Sequence, residues 1–185
     1  MTEQDKERAS RLTSFGMWVS SQVRRLATGG RDEAGIYRAG YLRNDPYSIA
    51  AVARLRHAVG REVGADPDIF VWTIPDPTKS DVCGTDVDCY TDTPSPRERA
   101  AHATLTLFAT HQQSIHDKSM HTDADVSLGR AVGRMAYGNF NESGIRRVFS
   151  QMQTASSWKE LVRHARSLIS LLRRERIALN YGLLA

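Results

Sequence analysis

Residues 157–176 read SWKELVRHARSLISLLRRER and contain the strongest secondary-structure signal in the chain. Apolar side chains recur there at intervals of three and four residues, which places them in one stripe along a helix. The stripe contains Trp158, Leu161, Val162, Ala165, Leu168, Ile169 and Leu172. The arginines of the segment fall outside it. The sequence therefore predicts an amphipathic helix over 157–176, with one side buried and an arginine-bearing side exposed.

A second helix start is visible in the tetrapeptide SPRE at residues 95–98. Ser95 is a favourable N-cap, Pro96 suits the first helical position, and Glu98 stands where its carboxylate can accept a hydrogen bond from the cap residue. This arrangement is a capping box, so we predict that a helix begins at Pro96. The apolar period that follows carries this helix to about Gln112.

The same period predicts helices in most of the remaining chain. A stripe from Leu12 to Leu26 is ended by two glycines, and further helices are predicted at 47–63, 127–136 and 142–154. We expect residues 35–40 to form a connector or one-turn helix and the polar residues 113–125 to form a mobile loop. No alternating run of strand length is found, and the predicted fold class is therefore all-α.

Prolines and aspartates interrupt the helical period between residues 75 and 96. Such a stretch is typical of a linker or a long loop. We therefore predict two small helical bundles joined by an acidic, proline-containing loop. Residues 1–92 would form the N-terminal bundle with the acidic linker, and residues 93–185 the C-terminal basic bundle.

The positive charge is concentrated in the second half of the chain. The net charge is +4, with 25 basic and 21 acidic residues, but residues 1–92 are slightly acidic whereas residues 93–185 contain 13 basic residues against 7 acidic ones. Of the 25 basic residues 21 are arginines, whose planar fork matches phosphate oxygens. A GC-rich coding bias would produce the same preference, so composition alone does not establish nucleic-acid binding.

Arginines recur on the predicted helices at spacings that keep their side chains together. The close pairs are Arg130 and Arg134, Arg146 and Arg147, Arg163 and Arg166, and Arg173 and Arg174. From Val126 onward only three acidic residues are available to neutralise them. Solvated helix faces are the simpler interpretation of some pairs. The pattern as a whole favours contact with a phosphate backbone, which carries no sequence specificity.

Histidines offer the strongest argument for an enzyme. His102, His111, His116 and His121 lie close in sequence, and the neighbouring His116 and Asp117 resemble the ligand pair of metal-dependent phosphohydrolases of the helical HD class. A spacing of five residues, however, rotates each of the last three histidines by about 140° on a helix, so they would diverge instead of sharing a metal. We predict that these histidines hold no metal.

Other catalytic signals are not visible in the sequence. Cys83 and Cys89 match no zinc pattern, and the chain contains no P-loop, dinucleotide fingerprint or nucleophile elbow. We therefore predict no catalytic residue, metal or cofactor, and no enzymatic activity. The charged start lacks the apolar core of a secretory signal, and no segment approaches the roughly 18 apolar residues of a membrane span, so we expect a cytoplasmic protein without a membrane partner.

Five segments in order resemble one known family. They are residues 35–43, LFATH at 107–111, SLGRA at 127–131, IRRVF at 145–149 and LNY at 179–181. Together they resemble the small CasB subunit of the type I-E CRISPR surveillance complex, Cascade. The resemblance implies an all-helical, two-bundle protein without enzymatic activity, which assembles with a second copy of itself, other Cascade subunits and the guide RNA. It also implies contact with the target DNA strands that stabilises the R-loop.

The candidate nucleic-acid-binding residues have two origins. The resemblance to the family implies Arg38, Arg97, Arg99, Arg130, Arg146 and Arg147. Charge and helix position add Arg134, Arg163, Arg166, Arg173 and Arg174. A helical protein-interaction adaptor without nucleic-acid binding is the alternative, in which one of Trp18, Trp72 and Trp158 would anchor a partner.

Overall fold

The structure, a computed structural model, describes residues 12–32, 34–76, 78, 80–83 and 93–185. In these residues it contains nine α-helices, one antiparallel pair of two-residue strands and two short 3₁₀ helices. The helices are α1 (Ser14–Thr28), α2 (Pro46–Ala58), α3 (Phe70–Thr73), α4 (Ser80–Cys83), α5 (Pro96–Gln112), α6 (Leu128–Ala136), α7 (Glu142–Gln153), α8 (Trp158–Arg174) and α9 (Tyr181–Leu184). The strands are β1 (Gly30–Arg31) and β2 (Tyr37–Arg38), and the 3₁₀ helices are Tyr41–Arg43 and Pro67–Ile69. The predicted all-α class is confirmed.

Side-chain caps fix the starts of most of the longer helices, and α7 is the exception. At α5 the Ser95 hydroxyl accepts a hydrogen bond from the Glu98 backbone N–H, and the Glu98 carboxylate accepts one from the Ser95 N–H at 2.7 Å. The predicted capping box and the predicted start at Pro96 are therefore confirmed. Ser127 and Ser157 cap α6 and α8 in the same way, through the N–H groups of Arg130 and Glu160.

Two predicted elements differ from the structure. Residues 35–40, predicted as a connector or a one-turn helix, contain no helix, and residues 37 and 38 form β2, which pairs with β1. The hairpin is closed by Gly29 and Gly40 at positive φ, and a Cβ added to Gly29 would lie 2.6 Å from the Ala39 carbonyl carbon. Strands of two residues are too short to show alternation, so the sequence pattern could not reveal them. The second helix ends at Ala58, five residues before the predicted end, because the chain becomes extended at Val59.

Helix α5 lies at the centre of the molecule. Every residue from Ala101 to Gln112 is buried, and α1, α2 and α8 all pack against this helix. Helix α7 packs along α8, and the C-terminal helix α9 packs on α1 and α5. Buried apolar residues from both halves of the chain form one connected core. The division into bundles 1–92 and 93–185 stays a prediction, because residues 84–92 of the connecting loop lie outside the described residues.

The loop at 113–125 is tied to the C-terminal segment. Met120 is fully buried, and its backbone accepts a hydrogen bond from the Leu179 N–H at 3.2 Å, while Thr122 donates to the Leu179 carbonyl at 3.1 Å. The Gln112 side chain donates to two carbonyls of the loop and accepts from the Met120 N–H at 2.8 Å. The segment is a loop, as predicted, but we expect it to be less mobile than its polar sequence indicates.

Tyr181 is the main polar contact between α9 and the core. The ring is fully buried, lies edge-on to Phe108, and places its hydroxyl 2.9 Å from Nδ1 of His111. The Tyr181 backbone N–H donates to Nδ1 of His121 at 3.2 Å. Burial lowers the pKa of His111 to about 3, helped by the positive charges of Arg173 and Lys118, and raises the pKa of Tyr181. Both side chains are therefore neutral at physiological pH.

Because His111 is buried in its neutral form, we expect the free energy of unfolding to fall in mild acid. An unfolded chain takes up this proton near pH 6.5, whereas the folded state takes it up only near pH 3, so stability is present above pH 6.5 and is lost as the pH falls between these values. The loss from this group is about 1.4 kcal/mol per pH unit, or about 2 kcal/mol between pH 6.5 and 5. Urea denaturation at several pH values measures it. In the variant His111→Gln this part of the pH dependence should disappear, and an unchanged slope would contradict the assignment.

Candidate nucleic-acid interface

Helices α6, α7 and α8 carry most of the predicted arginines. They contact one another, and α8 is anchored to α5 by a buried stripe. At 100° per residue, Arg163, Arg166, Arg173 and Arg174 fall within an arc of about 100° that borders this stripe at one edge and turns away from it. The arc extends for about 17 Å along the helix axis. Arg173 is half-buried and the other three are exposed.

Arg38 and Arg97 are engaged inside the fold. Nε of Arg38 lies 2.9 Å from a carboxylate oxygen of Asp32, and the guanidinium group lies over the Tyr47 ring, 4.4 Å from its centroid. Arg97 donates to the Val82 carbonyl at the end of α4. Neither side chain belongs to α6, α7 or α8. Their positions indicate that both stabilise the N-terminal part of the molecule.

Three further arginines are paired with partly exposed carboxylates. Arg130 lies 2.6 Å from Asp125, Arg146 lies 2.6 Å from Glu142, and Arg163 lies 3.9 Å from Glu160. Exposed ion pairs contribute little to folding stability. A phosphate group could therefore replace these carboxylates at low cost to the fold.

Six predicted arginines make no side-chain hydrogen bond or ion pair with any residue that the structure describes. They are Arg99, Arg134, Arg147, Arg166, Arg173 and Arg174. Five of the six belong to α6, α7 or α8. Arg99 instead lines a cavity of about 310 Å³ that includes Arg61, Lys159 and Trp158.

Sequence patterns did not reveal two aromatic residues next to the arginine-bearing helices. Tyr137 and Phe140 lie in the loop between α6 and α7 and are 90% and 106% exposed. Both residues belong to no apolar stripe and stand in a segment of glycine and asparagine, so the helical period does not distinguish them. The polar sequence around them nevertheless indicates that both rings are exposed, because an aromatic side chain in a polar turn lies on no buried helix face.

The histidines have structural contacts. His111 and His121 belong to the Tyr181 network, and His116 stacks on Tyr41 with ring centroids 4.4 Å apart. Within the described part of the chain, no three His, Cys, Asp or Glu side chains are grouped so that they could hold a metal ion. The described helices also include none long and apolar enough to cross a membrane.

Comparison with known proteins gives two matches. The family model of the CRISPR-associated protein Cse2 matches residues 51–185. The chain is also similar to the crystal structure of CasB from Thermobifida fusca, with 32% sequence identity, a TM-score of 0.65, and coverage of 94% of this chain and 85% of that chain. The curated proteins contain no significant match.

The fold and its surface define an all-helical protein with an arginine-bearing group of three helices built around α8. The chain belongs to the Cse2 family of CRISPR-associated proteins. The resemblance to the small CasB subunit of type I-E Cascade is thereby confirmed.

Proposed function

We propose that this Cascade subunit acts without catalysis in the cytoplasm, contacting nucleic-acid backbone and stabilising the R-loop in antiviral defence. Its partners would be other Cascade subunits, the guide RNA, the target DNA strands and a second copy of the chain. Family membership supports the role as a subunit. The contact with nucleic acid is supported by one observation above all, namely the six arginines without a partner among the described residues.

The size of the α8 arc suits this role. Because they are spread over about 17 Å, the four arginines of this arc could contact several successive phosphates of one strand. R-loop formation is nearly balanced between the DNA duplex that is lost and the heteroduplex that is gained. Modest contacts to an unwound strand would therefore shift the equilibrium toward the R-loop.

Salt dependence tests the backbone contact. If about 3 to 7 phosphates of a single strand are neutralised, log affinity should fall against log salt with a slope of about −2 to −5. Fluorescence anisotropy with labelled single-stranded DNA measures this slope. A slope near zero would contradict the proposal.

The adaptor function remains the second candidate because two apolar side chains at the start of α8 are partly exposed. Trp158 is 45% exposed and Leu161 is 37% exposed. Co-purification with tagged Cascade subunits, with and without guide RNA, separates the two functions. The adaptor would assemble normally and show no nucleic-acid dependence, whereas the proposed function requires both assembly and retention of DNA.

A further inference from the structure

The loop between α6 and α7 displays two aromatic rings on a well-defined backbone. Tyr137 and Phe140 are 90% and 106% exposed, so neither ring packs against the fold. The loop backbone is nevertheless held by hydrogen bonds from Tyr137 to Gly133, from Asn139 to Ala136 and from Glu142 to Asn139, at 3.1 Å each. The Asn139 side chain also accepts from the Asn141 N–H at 2.9 Å. The rings are therefore displayed by an ordered turn.

The immediate surroundings of the rings are polar and positively charged. Between and beside them stand Gly138, Asn139 and Asn141, and Arg134 precedes Tyr137 by three residues. Glu142, the first carboxylate after the loop, already forms an ion pair with Arg146 at 2.6 Å. Arg134 and Arg147 make no pair with a described residue. Exposed rings and uncompensated guanidinium groups thus occur together at one end of α6 and α7.

We propose that Tyr137 and Phe140 form a stacking site for unpaired nucleobases, while the neighbouring arginines hold the phosphates of the same strand. Proteins that bind single strands without sequence preference combine these two elements, because every base has a π-face that an aromatic ring can cover. This inference rests on the proposed function and extends it from the strand backbone to the bases. The occupant is a strand with unpaired bases, since bases in a duplex are already stacked.

A nucleic acid suits this site better than a protein partner. Protein interfaces usually have an apolar centre that is depleted in charge. Here the two rings are separated by glycine and asparagine, and no exposed aliphatic side chain of α6 or α7 extends them into an apolar patch among the described residues. The unpaired positive charge would also favour a polyanion.

Fluorescence of 2-aminopurine in a short single-stranded DNA tests the site, because stacking on an aromatic ring quenches this base. The wild-type protein should quench it. The double variant Tyr137→Ala/Phe140→Ala should abolish the quenching and weaken binding about 5- to 150-fold for each base that loses its ring. A strand of equal length with abasic positions keeps its phosphates, so wild type and double variant should bind it equally.

Three controls accompany this experiment. Tyr37→Ala removes an exposed aromatic ring, 62% exposed, from the N-terminal hairpin and should leave quenching unchanged. Because the loop rings touch nothing in the fold, the thermal unfolding midpoint of the double variant should equal that of the wild type. Tyr137→Leu/Phe140→Leu keeps apolar side chains without the rings and should lose quenching as the alanine variant does.

The outcomes distinguish this inference from the proposed function. If the double variant binds and quenches like the wild type while arginine variants lose affinity, the stacking site is wrong and the backbone contact stands. If the wild type binds no single-stranded DNA at any salt concentration, the proposed function is wrong, and the stacking site is wrong with it. If the double variant binds DNA normally but no longer co-purifies with Cascade subunits, the rings contact protein and the inference is overturned.

Discussion

Reversing the charge of Arg134, Arg147, Arg166 and Arg174 to glutamate should lower affinity for single-stranded DNA by at least about a hundredfold at moderate salt. None of these side chains has a partner among the described residues, so each is available to a phosphate. All four are exposed, and the substitutions should leave the fold intact. Anisotropy measures the affinity, and circular dichroism checks the helical content.

A matched control separates a local surface from total charge. Each substitution changes the charge by two, so four of them take the net charge from +4 to −4. Reversing Arg24, Arg43, Arg54 and Arg61, four exposed arginines of the N-terminal half, produces the same net charge. Only the first set should lose most of the affinity. Equal losses in both sets would mean that binding follows net charge and that α6, α7 and α8 have no special role.

Replacing Tyr181 with alanine should destabilise the protein by about 3–5 kcal/mol, as expected for the removal of a large buried aromatic side chain. Tyr181 is fully buried between Phe108 and two histidines. The cavity would lie where α9 meets α1 and α5. Urea denaturation at neutral pH gives the change in the free energy of unfolding.

Tyr181→Phe is the matched variant because it keeps the ring and removes only the hydroxyl. His111 would lose its hydrogen-bond partner at Nδ1, which should cost about 1–3 kcal/mol because this nitrogen is buried. A loss below about 1 kcal/mol for the alanine variant would show that the C-terminal segment contributes little to the core. The arginine surface should be unaffected by Tyr181→Phe, so its DNA affinity at neutral pH is expected to match that of the wild type.

The long helices could be predicted from the sequence because the residues that determine each helix lie within it or directly before it. The capping box at Ser95 and the apolar stripe of 157–176 are contained in the segments that they organise. The capping box is found in the structure, and the stripe is buried from Val162 to Leu172, whereas Trp158 and Leu161 at its start are partly exposed. The β1–β2 hairpin could not be predicted in this way. The hairpin requires the backbones at Gly29 and Gly40 to lie in close contact, although these residues are eleven positions apart in the sequence.

The candidate site was only partly predictable, since the sequence shows which residues are basic but not which of them find partners. Arg38 meets Asp32 because the hairpin brings them together, and Arg97 meets carbonyls at the end of α4. Arg130 and Arg134 look equivalent as a helical pair, yet among the residues that the structure describes only Arg130 reaches a carboxylate, that of Asp125 before the helix. Their use in nucleic-acid binding stays a prediction.

The separation of paired from unpaired arginines has a consequence for counterion release. An arginine that is already paired with a carboxylate brings little net positive charge to the DNA. When its guanidinium group exchanges the carboxylate for a phosphate, few counterions are therefore released from the DNA. The salt slope should therefore count mainly the unpaired groups, and the six found among the described residues correspond to a slope of about −4 for a single strand, inside the range of about −2 to −5 expected above. Removing Asp125 and Glu142 would free Arg130 and Arg146 and make the slope steeper without adding any basic residue.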